Sequence, residues 1–256
     1  MESNYHTHTT FCDGADTPEE LVAEAIRLGC PEIGFSGHSY LEEDSGCMSE
    51  QGTLDYCREI RRLREQYRDQ ITIRLGIEQD IFSKVNRQQF EYIIGAVHYV
   101  EKNGKKYAVD ESRDGFLFLL QEIYAGDAYA LAEDYYALVS RLYQRTHCDI
   151  IAHFDLITKY NEEGRYFDTG HPRYRAAADA ALDVLLQSPC LLEVNTGAMA
   201  RGYRSEPYPE KRILERWLAS GKELIFSSDC HDKQNLLYGF EQLRTLNHRD
   251  RLYLEN

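Results

Sequence analysis

Short apolar runs alternate with longer stretches of helical periodicity along the chain. The runs at 3–6, 33–36, 71–77, 92–97, 149–152, 191–194 and 224–227 have the length and composition of strands. Between them, apolar positions recur at helical spacing over 53–69, 127–146, 172–187 and 209–220. The first helix is the best defined. Thr17 can cap it, Pro18 suits its first position, and Glu20 closes a capping box with Thr17. Leu21, Val22, Ala25, Ile26 and Leu28 then keep helical spacing, and Gly29 can end it. Strands alternating with helices predict βα units around a parallel sheet.

The end of each predicted strand carries a residue type that binds metal. In order these are His6-Thr7-His8, Gly37-His38, Glu78, His98, His153, Glu193-Val194-Asn195 and Asp229-Cys230-His231. In a parallel α/β barrel the C-terminal strand ends all open on one face, where active sites are built. Residues far apart in sequence would converge there. Seven predicted strands fall one unit short of the ordinary eight, so the expected barrel is smaller or distorted.

His6 and His8 are two apart on an extended segment, which sends both rings to one face. Asp229 and His231 repeat the spacing, with Cys230 turned the other way into packing. Imidazole suits Zn, Mn, Fe, Co or Ni, and carboxylates suit the harder ions of that group. A single histidine beside an apolar run is more often a hydrogen-bonded core residue than a ligand. The joint pattern is different, because six of the nine histidines fall at the ends of five separate strands. Burying so many polar rings and acids without compensation would be costly, and metal coordination removes that cost.

Composition narrows the partners. A net charge of −14 on 256 residues repels the phosphate backbone of nucleic acids. A small anionic substrate remains compatible if bound cations reverse the local field. No basic segment followed by an apolar one opens the chain, and no run of about 18 apolar residues occurs. The seven cysteines form no Cys-x-x-Cys pair, so reduced thiols are expected. These features predict a single cytoplasmic domain over 1–256, without membrane or nucleic-acid partners.

Six segments together resemble a known family. They are His6-Thr7-His8 with Cys12-Asp13-Gly14, Ser36-Gly37-His38-Ser39, Gly76-Ile77-Glu78, Gly95-Ala96-Val97-His98, Ala152-His153-Phe154-Asp155 and Ser228-Asp229-Cys230-His231. In order and spacing they resemble the polymerase and histidinol phosphatase (PHP) superfamily, most closely its histidinol-phosphate phosphatase branch, over nearly the whole chain. The resemblance implies a distorted (β/α)7 TIM-like barrel holding three divalent metal ions, with Zn, Mn or Fe as candidates. By analogy His6, His8, Glu78 and Asp229 bind the first ion. Glu78 bridges to a second, held also by His98 and His153, and His38, His231 and Asp13 hold the third. Asp229 and His231 are also the catalytic candidates.

The implied reaction is hydrolysis of L-histidinol phosphate, a step of histidine biosynthesis, by a hydroxide bridging the first two ions. Asp229 or a metal-bound water would protonate the leaving alkoxide. Phosphate needs donors beyond the metals, and Lys159, Arg201 and Arg204 are the substrate-binding candidates. Here the chain departs from the family pattern His-Phe-Asp-Leu-Ile-Arg, because Thr158 stands in the last position and Lys159 follows it. Another small phosphomonoester or a nucleotide is therefore the alternative substrate. Readings from other classes are a non-catalytic metal-binding interaction domain and a C–N hydrolase. Three further features are open: Glu193 and Asn195 as ligand orienters or a polar plug, Glu42-Glu43-Asp44 as an amine attractor or a solvated run, and 99–127 as a lid or an extra packed helix.

Overall fold

The computed structural model describes residues 2–42 and 44–244. The strands among them are β1 (Glu32–Phe35), β2 (Thr72–Asp80), β3 (Tyr92–Ala96), β4 (Tyr99–Lys102), β5 (Lys105–Ala108), β6 (Ile150–Ile151), β7 (Leu191–Asn195) and β8 (Leu224–Ser227). Six of them form one sheet in the order β1-β2-β3-β6-β7-β8, with every neighbouring pair parallel. β4 and β5 form a separate antiparallel hairpin.

The two edge strands are joined by the N-terminal segment. Asn4 bridges Ile33 and Thr7 bridges Cys230, both in parallel sense. Gly34 N donates to Asn4 O (2.8 Å), Ser36 N to Thr7 O (3.1 Å) and His8 N to Cys230 O (2.9 Å). The sheet thus curls into the distorted seven-membered barrel expected from the sequence. The strand predicted at 3–6 is a pair of isolated bridges rather than a regular strand. The reason lies in its side chains: Tyr5 and His6 are consecutive, yet both meet groups of the barrel interior, which regular alternation forbids.

The helices wrap the outside: α1 (Pro18–Leu28), α2 (Glu50–Tyr67), α3 (Arg113–Phe118), α4 (Ala128–Val139), α5 (Leu142–Thr146), α6 (Pro172–Leu185), α7 (Gly197–Ala200), α8 (Lys211–Ala219) and α9 (Phe240–Leu243). Both halves of the α1 capping box form, and Gly29 closes that helix with φ 74°. α2 starts three residues earlier than its apolar pattern, because the Ser49 side chain accepts from Gly52 N. The predicted helix at 127–146 is split into α4 and α5. No helix among the described residues is long and apolar enough to cross a membrane. All seven cysteines are free.

Period-two alternation builds two cores. Outward residues such as Phe35, Leu75, Val194 and Phe226 pack against helix faces carrying Leu21, Ile60, Leu131 and Trp217. Inward residues Tyr92, Ile94, Ile150, Leu191 and Ile225 form a smaller core with Tyr5. Towards the C-terminal strand ends the inward positions become polar, at Glu78 on β2 and at Glu193 and Asn195 on β7. The lower barrel is therefore an apolar plug, and the polar groups are confined to its mouth.

Tyr92 is the keystone of that plug. Its hydroxyl donates to Tyr5 O (2.6 Å) and Phe35 O (3.1 Å). Its ring lies directly over Gly76, where an added Cβ would come within 2.2 Å of it. A fully buried ring bonded at both carbonyls has nowhere to move. Gly76→Ala is expected to destabilise the fold by at least about 2 kcal/mol, the scale of overpacking a dense core. Urea unfolding checks this; an unchanged midpoint would contradict it.

Candidate metal centre

All nine residues expected as ligands meet at the barrel mouth. Glu78, near the end of β2, lies at the centre. Its Oε2 is 3.3 Å from His6 Nε2, 3.5 Å from His8 Nε2 and 2.9 Å from His38 Nδ1. Its Oε1 is 3.3 Å from His98 Nε2 and 3.1 Å from His153 Nε2. Asp229 Oδ1 adds contacts of 3.5 Å to His6 and 3.2 Å to His8. Asp13 sits on the outer side, 3.1 Å from His231 Nε2 and 3.6 Å from both His38 Nε2 and His8 Nδ1.

Three sets bring their potential ligand atoms within 4.8 Å of one another: His6, His8 and Asp229; His38, Glu78 and His98; and His8, Asp13, His38 and His231. His153 joins the middle of the cluster through Glu78 Oε1. His8 and His38 each belong to two sets, so the sets share walls rather than standing apart.

Neighbouring side chains fix which ring nitrogen faces inward. Glu193 Oε1 accepts from His6 Nδ1 at 2.6 Å, which leaves His6 Nε2 as a lone-pair donor aimed at the cluster. Glu193 Oε2 accepts from His153 N (2.8 Å) and Asn195 Nδ2 (2.9 Å), so one carboxylate braces two ligand segments. Asp80 Oδ2 accepts from His98 N at 2.9 Å and lies 3.3 Å from His98 Nδ1. Asp80 was not singled out in the sequence. It lies two residues beyond Glu78 on one strand, so period two could have found it.

Asp229 and His231 share the site for a different reason than strand alternation. Asp229 has φ 47°, in the left-handed region. This turn sends its carboxylate inward while its carbonyl faces His231 Nδ1 at 3.0 Å. His231 Nδ1 also lies 3.0 Å from Arg201 Nη1, and the ring's Nε2 faces Asp13. Cys230 is buried in packing, as the spacing required.

The electrostatics are those of a cluster built around positive charge. Burial opposes ionisation of Glu78, yet His6, His38 and His98 hold its pKa well below the usual carboxylate range. Asp229 is likewise depressed against its burial, by His6 and Arg201. Burial disfavours charge on His98, but Glu78 and Asp80 lift it to about 10. His8 goes the other way, to about 3, because burial and the neighbouring His231 and His38 disfavour its charge.

Buried His6 Nε2, His8 Nε2 and Glu78 Oε2 have no hydrogen-bond partner. Orphaned polar atoms converging this closely in a buried position are costly unless something binds between them. Nitrogen and oxygen donors without thiolate fit Zn, Mn, Fe or Co. The residues present therefore fit divalent-metal coordination.

A cleft of about 630 Å³ opens above the cluster. Its lining includes Tyr99, Tyr107 and Asp110 from the hairpin segment, and Lys159, Arg201 and Tyr203 from later loops. The 99–127 region thus both lines the cleft and packs a short helix, α3, whose Phe116 joins the core. Arg201 Nη1 donates to Asp229 O (2.9 Å), and its Nη2 to Asp229 Oδ2 (3.2 Å). Lys159 Nζ donates to Asp110 O at 2.8 Å. Arg204 is not on the cleft wall: it bonds Thr158 Oγ1 and lies over the Tyr208 ring, 4.7 Å from its centroid. Asp44 lines the cleft and accepts from Tyr99 Oη (2.7 Å), Glu42 is exposed, and Glu43 lies outside the described residues.

A parallel barrel with imidazoles and carboxylates gathered at its C-terminal mouth is the architecture of a metal centre. The chain belongs to the PHP domain family, whose model matches residues 4–197. It is 26% identical over 253 residues to a Schizosaccharomyces pombe protein described as "Probable histidinol-phosphatase", covering 90% of this chain and 81% of that one. It is 24% identical to the histidinol-phosphatase of Bacillus subtilis, covering 92% of this chain and 96% of that one. Among solved structures, the fold matches the histidinol phosphate phosphatase of Lactococcus lactis, described as complexed with Zn, L-histidinol and phosphate. The TM-score is 0.69 at 19% identity, with 97% and 94% of the chains covered.

Two substitutions test the supporting groups. Glu193→Gln removes the charged acceptor behind His6 and is expected to weaken metal affinity about 10–100-fold, read by competition with a chelating dye. Unchanged affinity would show that His6 does not depend on Glu193. At Gly197 an added Cβ would lie 3.0 Å from Arg201 Nη2 and 2.9 Å from Ser228 O. Asp229 Cβ is equally near, at 3.0 Å, so Gly197→Ala is expected to shift Arg201 and the Asp229 turn together and to raise KM for a phosphoester; unchanged kinetics would contradict this.

Proposed function

We propose that the chain is a divalent-metal-dependent phosphomonoesterase that hydrolyses L-histidinol phosphate to L-histidinol and phosphate. Its class is phosphoric monoester hydrolase, that of the histidinol-phosphatases it resembles along nearly their full length. The observation that carries the metal requirement is the buried convergence of His6 Nε2, His8 Nε2 and Glu78 Oε2 with no hydrogen-bond partner. The complex described for the Lactococcus protein supports the same reading.

Three ions would be held as the resemblance implies. The first would take His6, His8, Glu78 and Asp229, the second Glu78, His98 and His153, and the third His38, His231 and Asp13. When bound, divalent ions lower the pKa of water towards about 7 and neutralise phosphoryl oxygens as charge develops. The remaining work belongs to side chains. Glu193 and Asp80 keep ligand nitrogens aimed inward. Arg201, anchored on Asp229, would donate to a phosphoryl oxygen, and Lys159 would meet the same group from the cleft wall. Asp229 and His231 are the catalytic candidates; the leaving alkoxide would take its proton from a water, or from Asp229 once that carboxylate has accepted one from the attacking water.

The cleft favours this substrate over a nucleotide. Asp44, Glu111 and the rings of Tyr99, Tyr107 and Tyr203 line it, together with Lys106. Carboxylates beside aromatic rings suit a cationic alcohol carrying a planar ring, and they repel the added negative charge of a nucleotide.

His98→Ala and His153→Ala are each expected to reduce turnover by at least about a thousandfold, because each removes a ligand from a cluster that acts as a unit. Circular dichroism should show both variants folded. Substantial turnover in either would contradict the scheme. Across a panel of phosphoesters, kcat/KM should be highest for L-histidinol phosphate. A nucleotide in first place would favour the alternative substrate, and no activity in Zn- or Mn-loaded protein would favour a non-catalytic metal-binding domain.

A further inference from the structure

We infer that Asp110 is a positioning residue: it holds the Lys159 ammonium on the cleft wall, ready for the anionic group of the substrate. The inference rests on the phosphomonoesterase reading and extends it to a residue that the sequence did not mark.

The geometry ties two elements that are remote in sequence. The β4–β5 hairpin leaves the barrel directly after His98 and returns beside it, where Val109 N donates to His98 O at 2.9 Å. Asp110 is the next residue. Its carbonyl accepts from Lys159 Nζ (2.8 Å) and from Tyr160 Oη (2.7 Å), and its carboxylate accepts from the same Nζ at 3.1 Å. Lys159 and Tyr160 belong to the loop that follows His153. One acidic residue thus fastens the return of the hairpin to the loop behind a second candidate ligand.

The Lys159 side chain is only 12% exposed. Its ammonium lies 5.4 Å from the Tyr203 ring centroid and 5.7 Å from that of Tyr160. A cation this far withdrawn from water needs a counter-charge, and Asp110 supplies it. The carboxylate stays ionised for the same reason: burial would raise its pKa, but Lys159, His98 and His153 hold it down. An ammonium has three N–H donors. Asp110 O and Oδ2 are the acceptors it meets among the described residues, which leaves one donor for a ligand on a wall shared with His98 and His153.

Lysine has a flexible four-carbon stem that does not fix its own direction. Two acceptors on Asp110 supply that direction. Asp110 would therefore act on substrate through Lys159 and not by its own contact.

A double-mutant cycle on the metal-loaded full-length protein tests this. Asp110→Asn, Lys159→Met and the double variant are compared on L-histidinol phosphate and on phenyl phosphate, which has no amine. The dissociation constant of inorganic phosphate is measured alongside by calorimetry. Each single variant should raise KM and the phosphate constant about tenfold on both esters, the scale of one charge-assisted hydrogen bond, while kcat falls much less. In the Lys159→Met background, Asp110→Asn should add almost nothing. Asp110→Glu should recover part of the loss. Additive effects would overturn the inference, as would an Asp110→Asn defect confined to L-histidinol phosphate, which would mean that Asp110 reads the amine. If Asp110→Asn loses fold or metal, Asp110→Glu carries the comparison: an effect on phosphate binding that vanishes in the Lys159→Met background supports the inference, and an effect that persists there, or phosphate binding in Lys159→Met equal to the parent's, overturns it. Should the parent hydrolyse neither ester, the phosphatase reading fails, and the phosphate constants still decide the role of Asp110.

Discussion

Glu78 lies almost without solvent access, with nitrogens of five imidazoles between 2.9 and 3.5 Å from its two oxygens. A carboxylate in that position is stable only if positive charge surrounds it. The barrel exists around this constraint. Glu78 stands on β2, the five rings come from four other stretches of chain, and only parallel strands opening on one face can deliver them together. The apolar plug below, with Tyr92 packed on Gly76, makes the floor rigid and dry.

Much of this was legible because the two periodicities of the chain are clean. Inward and outward residues alternate along β3, β7 and β8, so the strands could be found, and the chemistry lay at their ends. The capping box of α1 was equally plain, being a local device that tertiary contacts did not disturb. His6 and His8 follow the same logic at the site. Yet the segment that bears them is not a regular strand, because Tyr5 also turns to the interior and breaks the alternation.

What the sequence hid depends on backbone turns and on long-range partners. Asp229 and His231 have the spacing of a strand face, but a left-handed residue brings them to the site. No local pattern announces such a turn at an aspartate. Arg204 and Lys159 carry the same charge, and each follows the end of a predicted strand. Their difference arises from partners across the barrel: Thr158 and Tyr208 hold one behind the wall, and Asp110 holds the other on it. The hairpin that leads to Asp110 lies between β3 and β6; Asn103-Gly104 marks its turn, but nothing local names Lys159 as the partner of the residue that follows it.

The claim on which the account stands is that Glu78 and its surrounding imidazoles are a metal cradle. Metal content per chain, measured by plasma mass spectrometry on purified parent protein and on Glu78→Gln, tests it most directly. The account predicts stoichiometric divalent transition metal in the parent and a loss of most of it in the variant. Parent protein carrying no transition metal after exposure to Zn or Mn, or a variant that retains the full complement, would contradict it.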